Sequence, residues 1–258
     1  MGHRSTPTNW NAGACKVSGK PTNFHRGLLA AFQREADPER ARQQQAYMKS
    51  AMPFLGLAAP TQRRISAQWF TAHPLASSNQ WQREILSLWR RARYREERHG
   101  ALDLIRNRHY ADYVTPEIWG LLDELITTGA WWDYIDTLAP NIHAQLLEQH
   151  PSKIKPLIMR YARDQDMWRR RTAILCQLKA KSATDEALLF RILNESIDHP
   201  EFFVRKAIGW ALRAHSRINP ERVIEFVEAH ASRLSPLSKR EALKLLLKSG
   251  RVKRVPNG

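Results

Sequence analysis

The chain is poor in the alternating, β-branched pattern of strands and rich in helix formers. Its segments run about 10–18 residues between breaks, the length of ordinary helices. Most prolines stand at segment edges, where they start or stop helices: Pro60, Pro116, Pro140, Pro151, Pro200, Pro220 and Pro236. Glycine is scarce after Gly27, and nothing reads as a strand. Residues 1–22 are rich in Gly, Ser, Thr, Asn and Pro without a period, and are expected to be a flexible extension. The helical pattern occupies residues 23–250, read as one domain, and 251–258 form a short tail.

A repeat emerges in the C-terminal half. Trp168–Leu175, Phe203–Trp210 and Ser238–Leu245 align at a constant step, so that Arg170, Arg205 and Arg240 lie 35 residues apart. Thr172, Ala207 and Ala242 keep the same spacing, and small residues there let helices approach closely. Val204-Arg205-Lys206-Ala207 resembles the second helix of a HEAT repeat, and another helical stretch, Asp185 to Ser196, lies between the first two copies. Two helices per step make a helical-hairpin solenoid unit. The expected fold is therefore all-α: a curved right-handed solenoid of HEAT-like helical hairpins. A basic residue from each repeat on an inner face would track a phosphate backbone, though the sequence does not say which face these arginines occupy.

Composition sharpens this picture. With 43% hydrophobic residues the chain should fold, and 258 residues can bury a sizeable core. Lys and Arg outnumber Asp and Glu by 41 to 25, a formal charge of +16 that favours polyanions: DNA, RNA or an acidic membrane surface. No stretch is long and apolar enough to span a bilayer, and the N-terminus has no apolar signal core. Cys15 and Cys176 suggest neither a disulfide framework nor a zinc site, and the ten histidines form no metal motif. No metal or cofactor is expected.

Three stretches stand out as candidate chemistry. In Trp131-Trp132-Asp133-Tyr134-Ile135-Asp136, Trp132 and Asp136 are four apart and share a helix face. Asp166-Met167-Trp168-Arg169-Arg170-Arg171 is the second. In the third, Glu201-Phe202-Phe203 leads to Trp210 and Arg213, which also share a face. Read singly, each Trp is as readily a core residue, each Asp a helix cap and each Arg a solvated charge.

Taken in order, these runs resemble the AlkD-type bacterial DNA glycosylases, built of HEAT-like repeats. The resemblance covers about Gln45 to Lys248. It rests on Ala46-Tyr47-Met48-Lys49, Phe54-Leu55-Gly56, Thr61-Gln62-Arg63-Arg64 and Trp131-Trp132-Asp133 with Asp136. It continues through Trp168 with Arg171-Thr172-Ala173-Ile174-Leu175, then Lys206-Ala207-Ile208-Gly209-Trp210 with Leu212-Arg213, and Leu237-Ser238-Lys239-Arg240-Glu241-Ala242. Carried over by motif, it places the active-site aromatics on Trp132 and Trp210 and the acid on Asp136. DNA contacts fall on Arg171, Arg213 and Tyr47, and Phe202 and Phe203 wall the site or belong to the core.

The resemblance implies a monofunctional glycosylase that removes N3-alkyladenine and N7-alkylguanine from duplex DNA. It implies a monomer without an obligate protein partner or membrane attachment, acting at the nucleoid in a bacterial cytoplasm. Two other readings share the fold: a catalytically silent HEAT-like DNA-binding module, and a helical protein–protein scaffold.

Overall fold

The computed structural model describes residues 20–256, and every regular element among them is helical. Packing divides the chain into two compact units, one ending at Leu125 and the other beginning at Ile126. Residues 1–19, most of the expected flexible extension, lie outside the described residues, as do residues 257 and 258. Thr22, assigned to that extension from the sequence, belongs to the fold: its hydroxyl accepts from the His25 N–H and caps the first helix.

The first unit holds α1 (Asn23–Gln33), α2 (Pro38–Met48), α3 (Ala59–Ala72), α4 (Ser78–Arg90) and α5 (Arg95–Ile105). Its core gathers Leu28, Phe32, Trp81, Ile85, Leu88, Leu102 and Leu104, all fully buried. The Phe54-Leu55-Gly56 run has a structural purpose. The buried Glu96 carboxylate accepts from the backbone N–H groups of Leu55 and Gly56, each at 2.9 Å. Gly56 has φ +88°, and a Cβ there would fall 2.0 Å from the Asp37 carbonyl oxygen, so only glycine fits. Trp119–Gly129 (α6) runs across the boundary between the units.

The second unit opens with α7 (Trp132–Leu138), a π-turn (Ala139–His143) and α8 (Ala144–Gln149). Pro140 therefore lies inside a helical run rather than at its edge, as the sequence suggested. Proline has no N–H to return to the carbonyl of Asp136, four residues back, and the helix widens into a π-turn where that bond is missing. Three helix pairs follow: α9 (Pro151–Ala162) with α10 (Met167–Leu175), α11 (Glu186–Ser196) with α12 (Phe202–His215), and α13 (Pro220–Ala229) with α14 (Pro236–Lys248). Each pair is joined by four to six residues, which makes it a hairpin.

Local sequence starts these helices. The side chains of Asp166, Asp185, Asn219 and Ser235 accept N–H bonds at the starts of α10, α11, α13 and α14. The second helices pack side by side in the order α7, α10, α12, α14, while α9 packs beside α11. That is the stacked-hairpin arrangement expected of an α-solenoid. Thr172, Ala207 and Ala242 are completely buried in that layer, as their spacing required. Gly209 allows an even closer approach: a Cβ there would lie 2.5 Å from the Glu241 Cβ and 2.8 Å from the Ser238 carbonyl oxygen.

The repeated arginines serve the scaffold. Arg170 donates to the carbonyls of Ala162 (2.9 Å), Asp164 (2.5 Å) and Glu195 (2.7 Å), tying the last turns of α9 and α11 to α10. Arg205 donates to the His199 carbonyl at 3.1 Å. These guanidiniums satisfy helix-end carbonyls, so the phosphate-tracking row suggested by the repeat does not run through Arg170 and Arg205. Arg240 remains exposed.

Candidate active site

The second unit assembles most of the candidate residues. Ala130, at φ +44°, breaks the chain after α6, and Trp131 follows in extended conformation as the cap of α7. Trp132 begins α7 and Asp136 lies one turn on, both partly exposed. Across from α7, Arg171 projects from the middle of α10. Its Nε and Nη2 donate to the two carboxylate oxygens of Asp136, each at 2.9 Å. This is a forked, two-bond pair.

The two partners differ in exposure. The Arg171 side chain is 4% exposed and that of Asp136 is 17% exposed, so the carboxylate lies at the mouth with the guanidinium behind it. The remaining Nη1 of Arg171 donates to the Phe203 carbonyl at 2.6 Å. Arg171 thus bridges α7 and α12. Burial pushes the Asp136 carboxyl above its ordinary value; the charge and hydrogen bonds of Arg171 pull it back, and the neighbouring Asp133 adds a small upward push. Burial also lowers the Arg171 pKa against the pull of Asp136. A guanidinium nevertheless stays cationic near neutrality, so the pair is ionic there.

Aromatic rings support this pair. Trp168 is buried beside Phe203, with ring centres 5.1 Å apart, and Trp131 completes a three-ring cluster at 6.3 Å from Trp168 and 6.0 Å from Phe203. Phe203 also lies under the Arg171 guanidinium, 6.0 Å from its carbon. Its neighbour Phe202 is exposed. Phe203 is therefore a wall of the Arg171 site, whereas Phe202 presents its ring to solvent.

Further along α12, Trp210 is partly exposed and Arg213 lies one turn beyond it. Arg213 donates to Glu241 on α14, and Lys206 donates to the other oxygen of that carboxylate at 2.6 Å. The two cations hold Glu241 below its ordinary pKa, with Lys206 the larger influence. Tyr47, at the end of α2 in the first unit, is 77% exposed.

The structure brings Asp136, Arg171 and Phe203 into contact, and it adds two residues that the reading of single motifs passed over, Lys206 and Glu241. A signal for them exists. Asp136, Arg171, Lys206 and Glu241 are each 35 residues apart. They occupy one register position on four consecutive second helices and pair as Asp136–Arg171 and Lys206–Glu241. The repeat extends back to α7, one copy before the three recognised from sequence.

Residues 28–246 match the family described as DNA alkylation repair enzyme. The chain belongs to that family. A solved structure described as a predicted DNA alkylation repair enzyme from Enterococcus faecalis is similar at 29% sequence identity and a TM-score of 0.74. The similarity covers 83% of this chain and 97% of that one. No curated protein matches the sequence. The match spans both units, so the candidate site of the second unit and Tyr47 of the first both lie within the family region. Repair of alkylated DNA is thus the role of the family, and DNA its substrate.

Proposed function

We propose that this member of the family is a monofunctional DNA glycosylase that hydrolyses the N-glycosidic bond of cationic alkylpurines, N3-alkyladenine and N7-alkylguanine, in duplex DNA. The observation that carries the reading is the Asp136 carboxylate, fixed by two bonds from a buried arginine yet open at the mouth of the site, one turn from Trp132. A carboxylate facing DNA is repelled by phosphates, so in a DNA repair enzyme its use is easier to explain as chemistry than as binding.

Alkylation at N3 or N7 gives the base a positive charge and makes it a good leaving group. As the bond breaks, its electron pair goes to the base nitrogen, which becomes neutral, and the sugar becomes an oxocarbenium-like cation. Asp136 stabilises that cation: two unit charges about 4 Å apart gain roughly 4 kcal/mol at an effective dielectric of about 20. Water then adds at C1′, and its proton leaves through Asp136 to solvent. The faces of Trp132 and Trp210 attract the cationic base and sugar, each by ~0.5–2 kcal/mol. An abasic site remains. The reaction uses protein side chains and water alone.

The commitments of Arg171 refine its part. Its guanidinium is spent on Asp136 and the Phe203 carbonyl, so we assign it the positioning of the acid rather than a free phosphate clamp. Arg213, which also touches Glu241, and the exposed Tyr47 remain the proposed DNA contacts. Residues 23–250 act as one glycosylase domain in this reading, working as a monomer at the bacterial nucleoid without an obligate protein partner.

The alternative is a catalytically silent HEAT-like DNA-binding module, and the closed Asp136–Arg171 pair favours it, because a neutralised carboxylate can be purely structural. Release of 7-methylguanine from methylated duplex DNA separates the two. The glycosylase releases the base, and Asp136→Asn, compared at equal DNA occupancy, loses about 10²–10³-fold in rate. Binding without release by the unaltered protein would leave only the silent module.

A further inference from the structure

The second unit contains another concavity, about 420 Å³, at the C-terminal ends of α10 and α12. Ile174, Leu178, Leu189, Ala211 and Ala214 form its apolar walls. Lys179, Lys181 and Arg217 stand at its rim, and among the described residues no carboxylate lines it. Lys181 and Arg217 are exposed, and neither has an acidic partner among the described residues; Lys179 donates to Asn141 Oδ1 at 2.8 Å. The concavity is separate from the Asp136 site. At about 100° per residue, Ala211, Ala214, His215 and Ile218 lie on one stripe of α12, about a third of a turn from the stripe of Phe203, Lys206, Trp210 and Arg213.

His215 sets the chemistry at its floor. The residue is 4% exposed, and its Nε2 lies 2.8 Å from Glu186 Oε1. A carboxylate oxygen accepts, so Nε2 carries the ring proton. Asn219 Nδ2 also donates to that oxygen at 2.8 Å and Phe190 stands edge-on to the ring, which fixes the imidazole in place. Nδ1 of the neutral ring is then an acceptor. It is buried, lines the concavity and has no hydrogen-bond partner among the described residues. Buried polar atoms of this kind are normally satisfied.

We infer that this concavity binds a nucleotide. A base edge bearing an N–H or amino group donates to His215 Nδ1, the flat ring lies between the apolar walls, and the phosphate meets Lys181 and Arg217. The volume falls within the range of small-ligand sites, roughly 300–1,000 Å³. Two sources supply that chemistry, a free mononucleotide and an unpaired nucleotide of a DNA strand. Occupancy is independent of base excision at Asp136, so either reading can fail without the other.

Calorimetric titration of the full chain with adenosine 5′-monophosphate tests the site. One saturable site is expected, with adenosine and inorganic phosphate each weaker by about tenfold or more. Lys181→Glu combined with Arg217→Glu, both exposed positions, should weaken binding by about tenfold or more, and Ala214→Leu should abolish it by filling the concavity. Circular dichroism confirms that each variant is folded. A duplex with one unpaired terminal nucleotide that displaces the monophosphate better than a blunt duplex assigns the site to a strand; equal displacement assigns it to the free nucleotide. Absence of binding at millimolar concentration, adenosine or phosphate binding as tightly as the monophosphate, or undiminished binding to Ala214→Leu overturns the inference.

Discussion

Asp136 is pulled in two directions, and the balance is measurable. Burial raises its pKa and Arg171 lowers it, with burial the stronger. If the ionised carboxylate stabilises the sugar cation, excision falls as pH drops through that raised value. The acid limb of the pH–rate profile should then lie above the ordinary carboxylate value of about 3.9, and it should be absent from the residual activity of Asp136→Asn. Alkylguanine release at saturating enzyme across the acid range checks this. Arg171 gives a second test. Lysine cannot reproduce a fork that bonds both oxygens of Asp136 and a third acceptor on Phe203. Arg171→Lys should therefore cost about 10–100-fold in the rate of excision while DNA affinity stays near that of the unaltered protein. A loss confined to affinity would make Arg171 a phosphate contact instead. Trp132, Asp136 and Trp210 could be singled out from sequence because they recur in recognisable runs. The closed state of Arg171 could not, since it depends on the distance between α7 and α10.

Between elements, the 35-residue step decides which side chains meet. It puts Asp136 against Arg171, Lys206 against Glu241 and Asp198 against Arg233, so each second helix or its flank is pinned to the next by charge. Close packing of α12 on α14 depends on Gly209. Gly209→Ala forces a Cβ into Glu241 and the Ser238 carbonyl, and is expected to cost about 1–3 kcal/mol. In a chain of this size that lowers the melting temperature by roughly 2–4 °C per kcal/mol, read by thermal unfolding. Glu241→Gln has a different signature. It releases Lys206 and Arg213 from a shared carboxylate, so DNA binding should tighten while excision falls, because Arg213 loses its fixed position. The repeat was legible through Arg170, Arg205 and Arg240, but their task was not. Sequence spacing shows that three residues are equivalent; it does not show that two of them point at the carbonyls ending α9 and α11 and the loop before α12.

For the whole molecule, charge governs how DNA is found. A formal charge of +16 on 258 residues predicts association that weakens steeply with salt. The slope of log affinity against log salt should approach about −0.9 for each phosphate neutralised. Fluorescence anisotropy between about 50 and 200 mM salt measures it. Intact and methylated duplexes should share nearly the same slope, because phosphates carry that part of the binding; a methylated duplex with a markedly different slope would mean that lesion recognition itself displaces ions.

The sequence by itself determined the helical class, the hairpin repeat, the basic charge and the family motifs that contain Trp132, Asp136 and Trp210. These follow from period, composition and local order, which belong to the chain before it folds. The tertiary structure decided how the site is wired. It buried Arg171 behind Asp136, set Phe203 beneath the guanidinium, shared Glu241 between Lys206 and Arg213, and turned Arg170 and Arg205 inward as helix caps. The reason is physical: a charge reads the same in sequence whether it meets solvent, a phosphate or another helix, and only packing distance and burial choose among them.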